Sequence, residues 1–424
     1  MTAADELGLA ARPSGARRLL GIEGLRGIAA LLVLFRHVGQ HTTDEERTGF
    51  LGQLSEVSLH GLTLFFVLSG FLLFRPFAQA VVDGDPLPSI RRYAVNRALR
   101  ILPAYLVIFV LVALVVGVAY TEGPALIHGA DSVGRLTDPV AVALNLGLLQ
   151  TYVPGYILTG IGPAWSLSVE VAFYVSLPLL ALSAGVLVRR RVHRLVAVLL
   201  PPVALIGVGL ATTLVLARHR RGMSAEDAVL AEWGQTGSAA VARSLLAHAD
   251  LFGYGMLAAL LVVYLQVRGV ESLSTAVKAG GLVLSAGAAV AALAGVAGGF
   301  RDNLIGVAAA GLLAVVVLPA SRTGEPANRL ARALEWAPAR YAGLISYSVY
   351  LWHLPVISWL QVRSLTFGES TQGLVLTTLL VMAIVAVLAS ATYWLVERPA
   401  LQRRAPWPVS SGRSRPASAR PSRR

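Results

Sequence analysis

Gly21-Ile-Glu-Gly-Leu-Arg-Gly-Ile-Ala-Ala-Leu-Leu-Val-Leu-Phe-Arg-His37 is an apolar helical stretch that carries Glu23, Arg26, Arg36 and His37. Charged groups at membrane depth are costly and are kept where they face a bundle interior or a wet cavity, so this helix is not simply lipid-facing. Arg26 and His37 are eleven positions apart. At about 100° and about 1.5 Å per residue they return to within roughly 20° of one face and lie roughly 16 Å apart along the axis. One face therefore presents a cation near a membrane boundary and an imidazole deep inside.

The rest of the chain supplies the membrane. Of 424 residues 55% are hydrophobic and 14% charged, with a mean hydropathy of +0.67, and several apolar runs are long enough to cross a bilayer. Those runs are 21–40, 59–80, 101–119, 165–187, 195–217, 245–265, 279–298, 303–320, 342–362 and 372–394. The expected fold is all-α: a polytopic integral membrane protein of about ten transmembrane helices with both termini cytoplasmic. Residues 1–19 are expected to form a cytoplasmic N-terminal segment, 20–402 the ten-helix membrane domain, and 403–424 a disordered basic tail along the inner leaflet. The first run follows Arg12, Arg17 and Arg18, as in a signal peptide, yet its charges and the lack of a small-residue cleavage site keep it as a span.

Orientation follows from arginine in the connections. Arg91 to Arg100, Arg189 to Arg194, the segment with Arg322, Arg329, Arg332 and Arg340, and the tail all fall on one side, read as cytoplasmic. The acidic Thr42-Thr-Asp-Glu-Glu46 falls on the other, and only Arg218-His-Arg-Arg221 opposes the trend. Pro139 to Thr151 is apolar but, at 13 residues, too short to span, and is read as re-entrant or interfacial. Residues 221–244 read as a modest outer loop. The net charge of +13 comes from 36 basic residues, all but Lys278 arginine, dispersed among apolar runs. That pattern fits loops meeting anionic membrane lipids and not a nucleic-acid footprint. The absence of cysteine excludes disulfides and a thiol nucleophile.

Candidate chemistry sits on four stretches, with two more read as structural. His37 lies where orientation does not require it, and a neutral imidazole is suited to taking a proton from a hydroxyl. Arg36, about 100° around the helix, either lines the site or snorkels outward. Arg97 and Arg100, three apart, point two guanidinium forks one way, a good arrangement for phosphate or carboxylate, although arginine at an inner span end also satisfies topology alone. Glu170, in Trp165-Ser-Leu-Ser-Val-Glu170, is an intramembrane carboxylate that needs His37 or an arginine as partner. Trp165 and His353, the latter in Ser346-Tyr-Ser-Val-Tyr350-Leu-Trp-His353-Leu-Pro355, are candidate substrate-binding residues. Glu397-Arg-Pro399 reads as an interfacial anchor, and Phe65-Phe-Val-Leu-Ser-Gly-Phe71 as a close helix contact. No metal site is expected.

Taken together and in this order, Gly24-Leu-Arg26 with His37, Phe65 to Phe71, Arg97-x-x-Arg100-Ile-Leu-Pro103, Trp165 to Glu170 and Ser346 to Pro355 resemble the membrane-bound acyltransferase-3 family. That family comprises bacterial O-acetyltransferases of sugars, envelope glycans and macrolides. The resemblance covers about residues 20 to 400. It implies transfer of an acyl group, usually acetyl, from cytoplasmic acyl-CoA (acetyl-CoA) to a hydroxyl of a carbohydrate, glycolipid or macrolide-type acceptor, in the cell inner membrane and with no bound cofactor. His37 matches the proposed catalytic histidine, Arg26 its arginine partner, Arg97 and Arg100 the pair assigned to acyl-CoA, and Glu170 the acid of the Trp-Ser-Leu motif. Val171-Ala172 stands where many members have Glu-Gln, which weakens a role for a second acid, and no esterase-like domain is expected after the tenth run. His37 is then expected to act as general base, with Glu170 orienting the imidazole or balancing charge; an acyl-histidine intermediate is the other route. The competing reading is a non-catalytic transporter or carrier of acyl groups or lipids, which ten spans with charged interior residues also suit.

Overall fold

The computed structural model describes residues 19–42, 49–122, 132–270, 273–296, 298–318, 329–368 and 370–404. The expected N-terminal segment to residue 18, the acidic residues 43–46, Arg322 and the tail beyond 404 lie outside the described residues.

The described residues of each of the ten apolar runs fall largely on helix, and the described residues are all-α apart from one short antiparallel pairing of Ala119–Tyr120 with Val133–Gly134 and an isolated bridge between Tyr120 and Gly160. In order, α1 is Ile22–Thr42, α2 Gly49–Ser58, α3 Gly61–Asp83 and α4 Ile90–Phe109, which runs on as a π-helical stretch Val110–Val116. Then come α5 Pro139–Leu146, α6 Trp165–Arg189, α7 Arg194–His219, α8 Ala225–Trp233, α9 Gly237–Ala242, α10 Leu245–Val267, α11 Thr275–Leu293 and α12 Arg301–Val317. The chain closes with α13 Arg329–Leu334, α14 Ala337–Leu344, α15 Ser346–Val362, α16 Thr371–Thr392, a π-helical turn Tyr393–Glu397 and α17 Arg398–Gln402.

Eight helices among the described residues are long and apolar enough to cross a membrane. The two remaining expected spans are α1, which carries Glu23, Arg26 and Arg36, and α15, which has only 17 residues. The two expected spans that fall short, α1 by its charges and α15 by its length, are thus the two that carry His37 and His353. As expected for a segment too short to span, Pro139 to Thr151 forms only the eight-residue α5, capped by the Asp138 side chain accepting from Val140 N–H, followed by 3-10 turns.

Two readings change. Arg91 to Arg100 is not a connection but the first half of α4, because Ser89 caps that helix by accepting from Arg92 N–H. Hydropathy marks where a segment becomes apolar, not where its helix begins. The loop 221–244 likewise contains α8 and α9, capped by Ser224 and Thr236.

Close crossings bring the polar helices together. A Cβ on Gly70 of α3 would stand 2.2 Å from the Phe252 carbonyl of α10, and one on Gly343 of α14 would stand 1.8 Å from the Glu23 carbonyl of α1. Glycine is required at both points because the backbones themselves are in contact. On the periphery, α11 turns Val283 and Leu284 outward, 70% and 77% exposed, as a lipid-facing helix should.

Candidate active site

One face of α3 lines a cavity of about 110 Å³. Leu62, Phe65, Phe66, Ser69, Leu72 and Leu73 contribute to its wall, at spacings that share a helical face. Eleven residues from Leu62 to Leu73 make the wall roughly 16 Å long. The two ends differ in character.

At the Leu73 end the wall is cationic, with Arg26 from α1 and Arg97 and Arg100 from α4, faced by Glu170 and Tyr174 of α6 and Tyr347 of α15. Arg100 Nη1 donates to Glu397 Oε2 at 3.0 Å, and the other oxygen of Glu397 accepts from Ser348 Oγ at 2.5 Å. Tyr347 donates to the Ile101 carbonyl at 2.9 Å, and its ring lies under the Arg100 guanidinium at 5.3 Å. Arg97 sits 5.9 Å from the Tyr174 ring. Arg26 stands in the field of Arg100, Glu23, Glu397 and Glu170. Glu170 accepts from Ser69 Oγ at 2.5 Å. Arg97 Nε and Arg100 Nη2 are buried with no hydrogen-bond partner among the described residues. Buried N–H groups without partners are expensive to maintain and suit an anionic ligand.

At the Leu62 end the wall is apolar and aromatic, closed by Phe65, Phe66, Ser166 and Tyr350. The Tyr350 hydroxyl is held by the Pro163 carbonyl at 3.1 Å and Ser166 Oγ at 2.7 Å, and Phe65 packs edge-on to its ring at 5.9 Å. One turn along α15, His353 stands with its ring 5.6 Å from that of Tyr350. His353 Nε2 lies 3.3 Å from His37 Nδ1, with the ring centroids 4.9 Å apart. His37 Nδ1 is also 2.8 Å from the Val33 carbonyl. A carbonyl only accepts, so the proton is assigned to Nδ1 and His37 Nε2 carries the lone pair.

Arg26, Arg97, Arg100 and Glu170 are therefore brought to one cavity wall. His37 and His353 form a pair just behind the opposite end, behind Tyr350. Glu170 bonds Ser69, and it is His353 that meets His37. Arg36 turns to Ser55 Oγ of α2 at 2.8 Å. Trp165 is buried beside His248 and Arg243, outside the cavity wall.

The Acyltransferase domain family profile matches residues 19–394 of the chain. The chain belongs to this acyltransferase family. It is similar, at 26% identity over 93% of its length and 86% of the relative, to a Komagataeibacter xylinus protein carrying the name membrane-bound transacylase BcsY. It is 34% identical to the acyltransferase MdmB of Streptomyces mycarofaciens over 38% of this chain and 39% of that protein. Protein 2 in the picA locus of Rhizobium radiobacter is 32% identical over 36% of this chain and 78% of its own length. No solved structure matches the chain.

In this acyltransferase the residue that sequence reasoning misplaced is Glu397. It is not an interfacial anchor: at 2% exposure it is buried against Arg100. The π-helical turn Tyr393–Glu397 inserts an extra residue into the helix, so the 3.6-residue phase of α16 no longer tells which face Glu397 takes. Tyr350 carried a signal, being three residues before His353 and hence on its face.

Proposed function

We propose that this membrane acyltransferase moves an acyl group, acetyl first among the candidates, from cytoplasmic acyl-CoA to a hydroxyl of a cell-envelope carbohydrate, glycolipid or glycosylated secondary metabolite. The observation that carries the reading is a single cavity with unpartnered guanidinium N–H groups at one end and a histidine pair behind the other. The protein sits in the plasma membrane, with its arginine end and both termini toward the cytoplasm. Residues 20–402 form the catalytic membrane domain.

Arg97 and Arg100, with Arg26, hold the phosphates of the donor, and the pantetheine arm follows the α3 wall toward the histidines. Glu397 fixes Arg100 through Nη1 and leaves Nη2 for the ligand. Glu170 balances the cationic wall instead of orienting the imidazole; His353 takes the orienting role. His37 Nε2 accepts the acceptor's hydroxyl proton while the hydroxyl oxygen bonds to the thioester carbonyl carbon. The C–S bond breaks, and the proton passes from His37 to the departing thiolate, giving an O-ester and free CoA thiol. His353 Nε2, on the Nδ1–H side of His37, steadies the imidazolium that forms in between.

The test is purified protein with labelled acetyl-CoA and an envelope extract. Wild type is expected to release CoA and label one class of molecule, and His37→Ala to lose roughly 10²-fold or more of that activity at unchanged protein level. Full activity in the variant would overturn the role of His37, and no CoA release by wild type would return the protein to the carrier reading.

A further inference from the structure

A second group of polar side chains gathers next to the apolar end of the cavity. His60 immediately precedes α3, Arg243 ends α9, His248 lies in the first turn of α10 and Asp302 in the first turn of α12. His60 and Arg243 are only 8% and 4% exposed. His60 Nδ1 lies 3.2 Å from an Asp302 carboxylate oxygen. Asp302 faces both His60 and His248, and His248 in turn lies in the field of Arg243, so four helices contribute to one cluster. Its floor is aromatic. The His248 ring is 5.3 Å from Phe66, a wall of the cavity, and 5.5 Å from Trp165. The Arg243 guanidinium carbon is 4.9 Å from the Trp165 ring and 3.3 Å from that of Trp233.

His60 Nε2, His248 Nε2 and Arg243 Nε and Nη2 are all buried with no hydrogen-bond partner among the described residues. The nearest carboxylate does not satisfy Arg243. Glu232 accepts from Arg220 Nη1 at 2.5 Å and stands 3.9 Å from Arg243 Nη2, beyond hydrogen-bond length. Nε and Nη2 form the edge of a guanidinium that takes an oxyanion through two parallel hydrogen bonds. Among the described residues no group of three or more histidine, aspartate and glutamate side chains could hold a metal ion, which leaves an anion as the ligand suited to the arginine. Trp233, 36% exposed, has one ring face covered by the Arg243 guanidinium, and an indole surface beyond that contact suits the apolar face of a sugar ring.

We infer that this cluster is the acceptor subsite and that the acceptor is an acidic carbohydrate, its carboxylate or phosphate seated on the Nε–Nη2 edge of Arg243 and its hydroxyls on His60 and His248. The acceptor role rests on the O-acyl-transfer reading above. Position supports it: Phe66 is shared with the cavity, and its neighbour Phe65 packs on Tyr350, the residue beneath His353. A sugar held here abuts the end of the cavity behind which the histidine pair stands.

The experiment uses the purified full-length protein in detergent, without donor. Thermal midpoint and tryptophan fluorescence are followed against glucuronate, glucose 6-phosphate and glucose at matched ionic strength. A saturable response to glucuronate or glucose 6-phosphate is expected, the two separating carboxylate from phosphate. Glucose should give none at the same concentration, and Arg243→Gln should weaken the response about tenfold or more. An equal response to glucose, no response to either acid, or an unchanged response in Arg243→Gln would overturn the inference. Should Arg243→Gln fail to purify as a single species, His248→Gln is held to the same expectation, and the acid-against-glucose comparison in wild type decides by itself. Because no donor is present, acid binding by a wild type that never turns over labelled acetyl-CoA would leave the acid site standing and overturn only its acceptor role.

Discussion

Arg100 and Glu397 lie 297 positions apart in the chain and 3.0 Å apart in space, and their pairing decides how the cationic wall works. Removing one partner of a buried ion pair typically costs about 3–5 kcal/mol because the other charge is left uncompensated. Glu397→Gln should therefore lower the thermal midpoint. Because Arg100 is then no longer held, it should also raise the KM for acyl-CoA about tenfold with a smaller change in kcat. Glu397→Asp should recover part of both. A Glu397→Gln variant that loses stability but keeps the wild-type KM would reduce the pair to a structural brace. Arg97→Lys is the companion case: a point charge cannot reproduce the fork, so donor KM should rise; an unchanged KM would make Arg97 a topology residue. Arg26, Arg97, Arg100 and His37 were legible as candidates because an ionisable side chain inside an apolar run announces its own cost. The contact between His353 and His37 was not, since nothing local relates residue 353 to residue 37.

At the scale of elements, polar pairs and glycine crossings act together to fix the bundle. Asn303 of α12 donates to Asp250 of α10 at 2.8 Å, and Asp250 is only 1% exposed. Asn303→Ala leaves that carboxylate without its donor, a loss of about 1–3 kcal/mol, so the thermal midpoint in detergent should fall. Neither residue lines the cavity, so donor KM should stay at the wild-type value; a raised KM would show that α10 and α12 are coupled to the donor site. The π-helical turn after α16 acts in the other direction, toward function. By breaking the helical phase it turns Glu397 inward, where a regular helix would have placed a different side chain.

For the whole molecule, the direction of the cavity follows from charge alone. If arginine-rich connections are cytoplasmic, the Arg97–Arg100 end faces the cytoplasm, as the proposed acyl-CoA donor requires, and the histidine end faces the outer leaflet. The chain has no cysteine, so single introduced cysteines report directly. Glu226→Cys, on α8, should react with a membrane-impermeant maleimide in intact cells. Asp85→Cys, between α3 and α4, should react only after permeabilisation. The reverse pattern would invert the protein and place the arginine end outside.

By itself the sequence determined that this is an all-α membrane protein, which apolar runs are helices, which side chains are too costly to be idle, and the family. All but the family are consequences of composition and period, the family being carried by short motifs, and each of these is local. The tertiary structure alone decided the pairing of His37 with His353, the burial of Glu397 against Arg100, and the gathering of His60, Arg243, His248 and Asp302. Each depends on how helices distant in sequence cross, and crossings are set by backbone approach at points such as Gly70 and Gly343 and by phase slips such as the turn at Tyr393–Glu397. The opening face of α1 survives in a more specific form. Arg26 lines the cationic wall, and eleven residues on, His37 stands behind Tyr350 with its Nδ1 held by the Val33 carbonyl and facing His353.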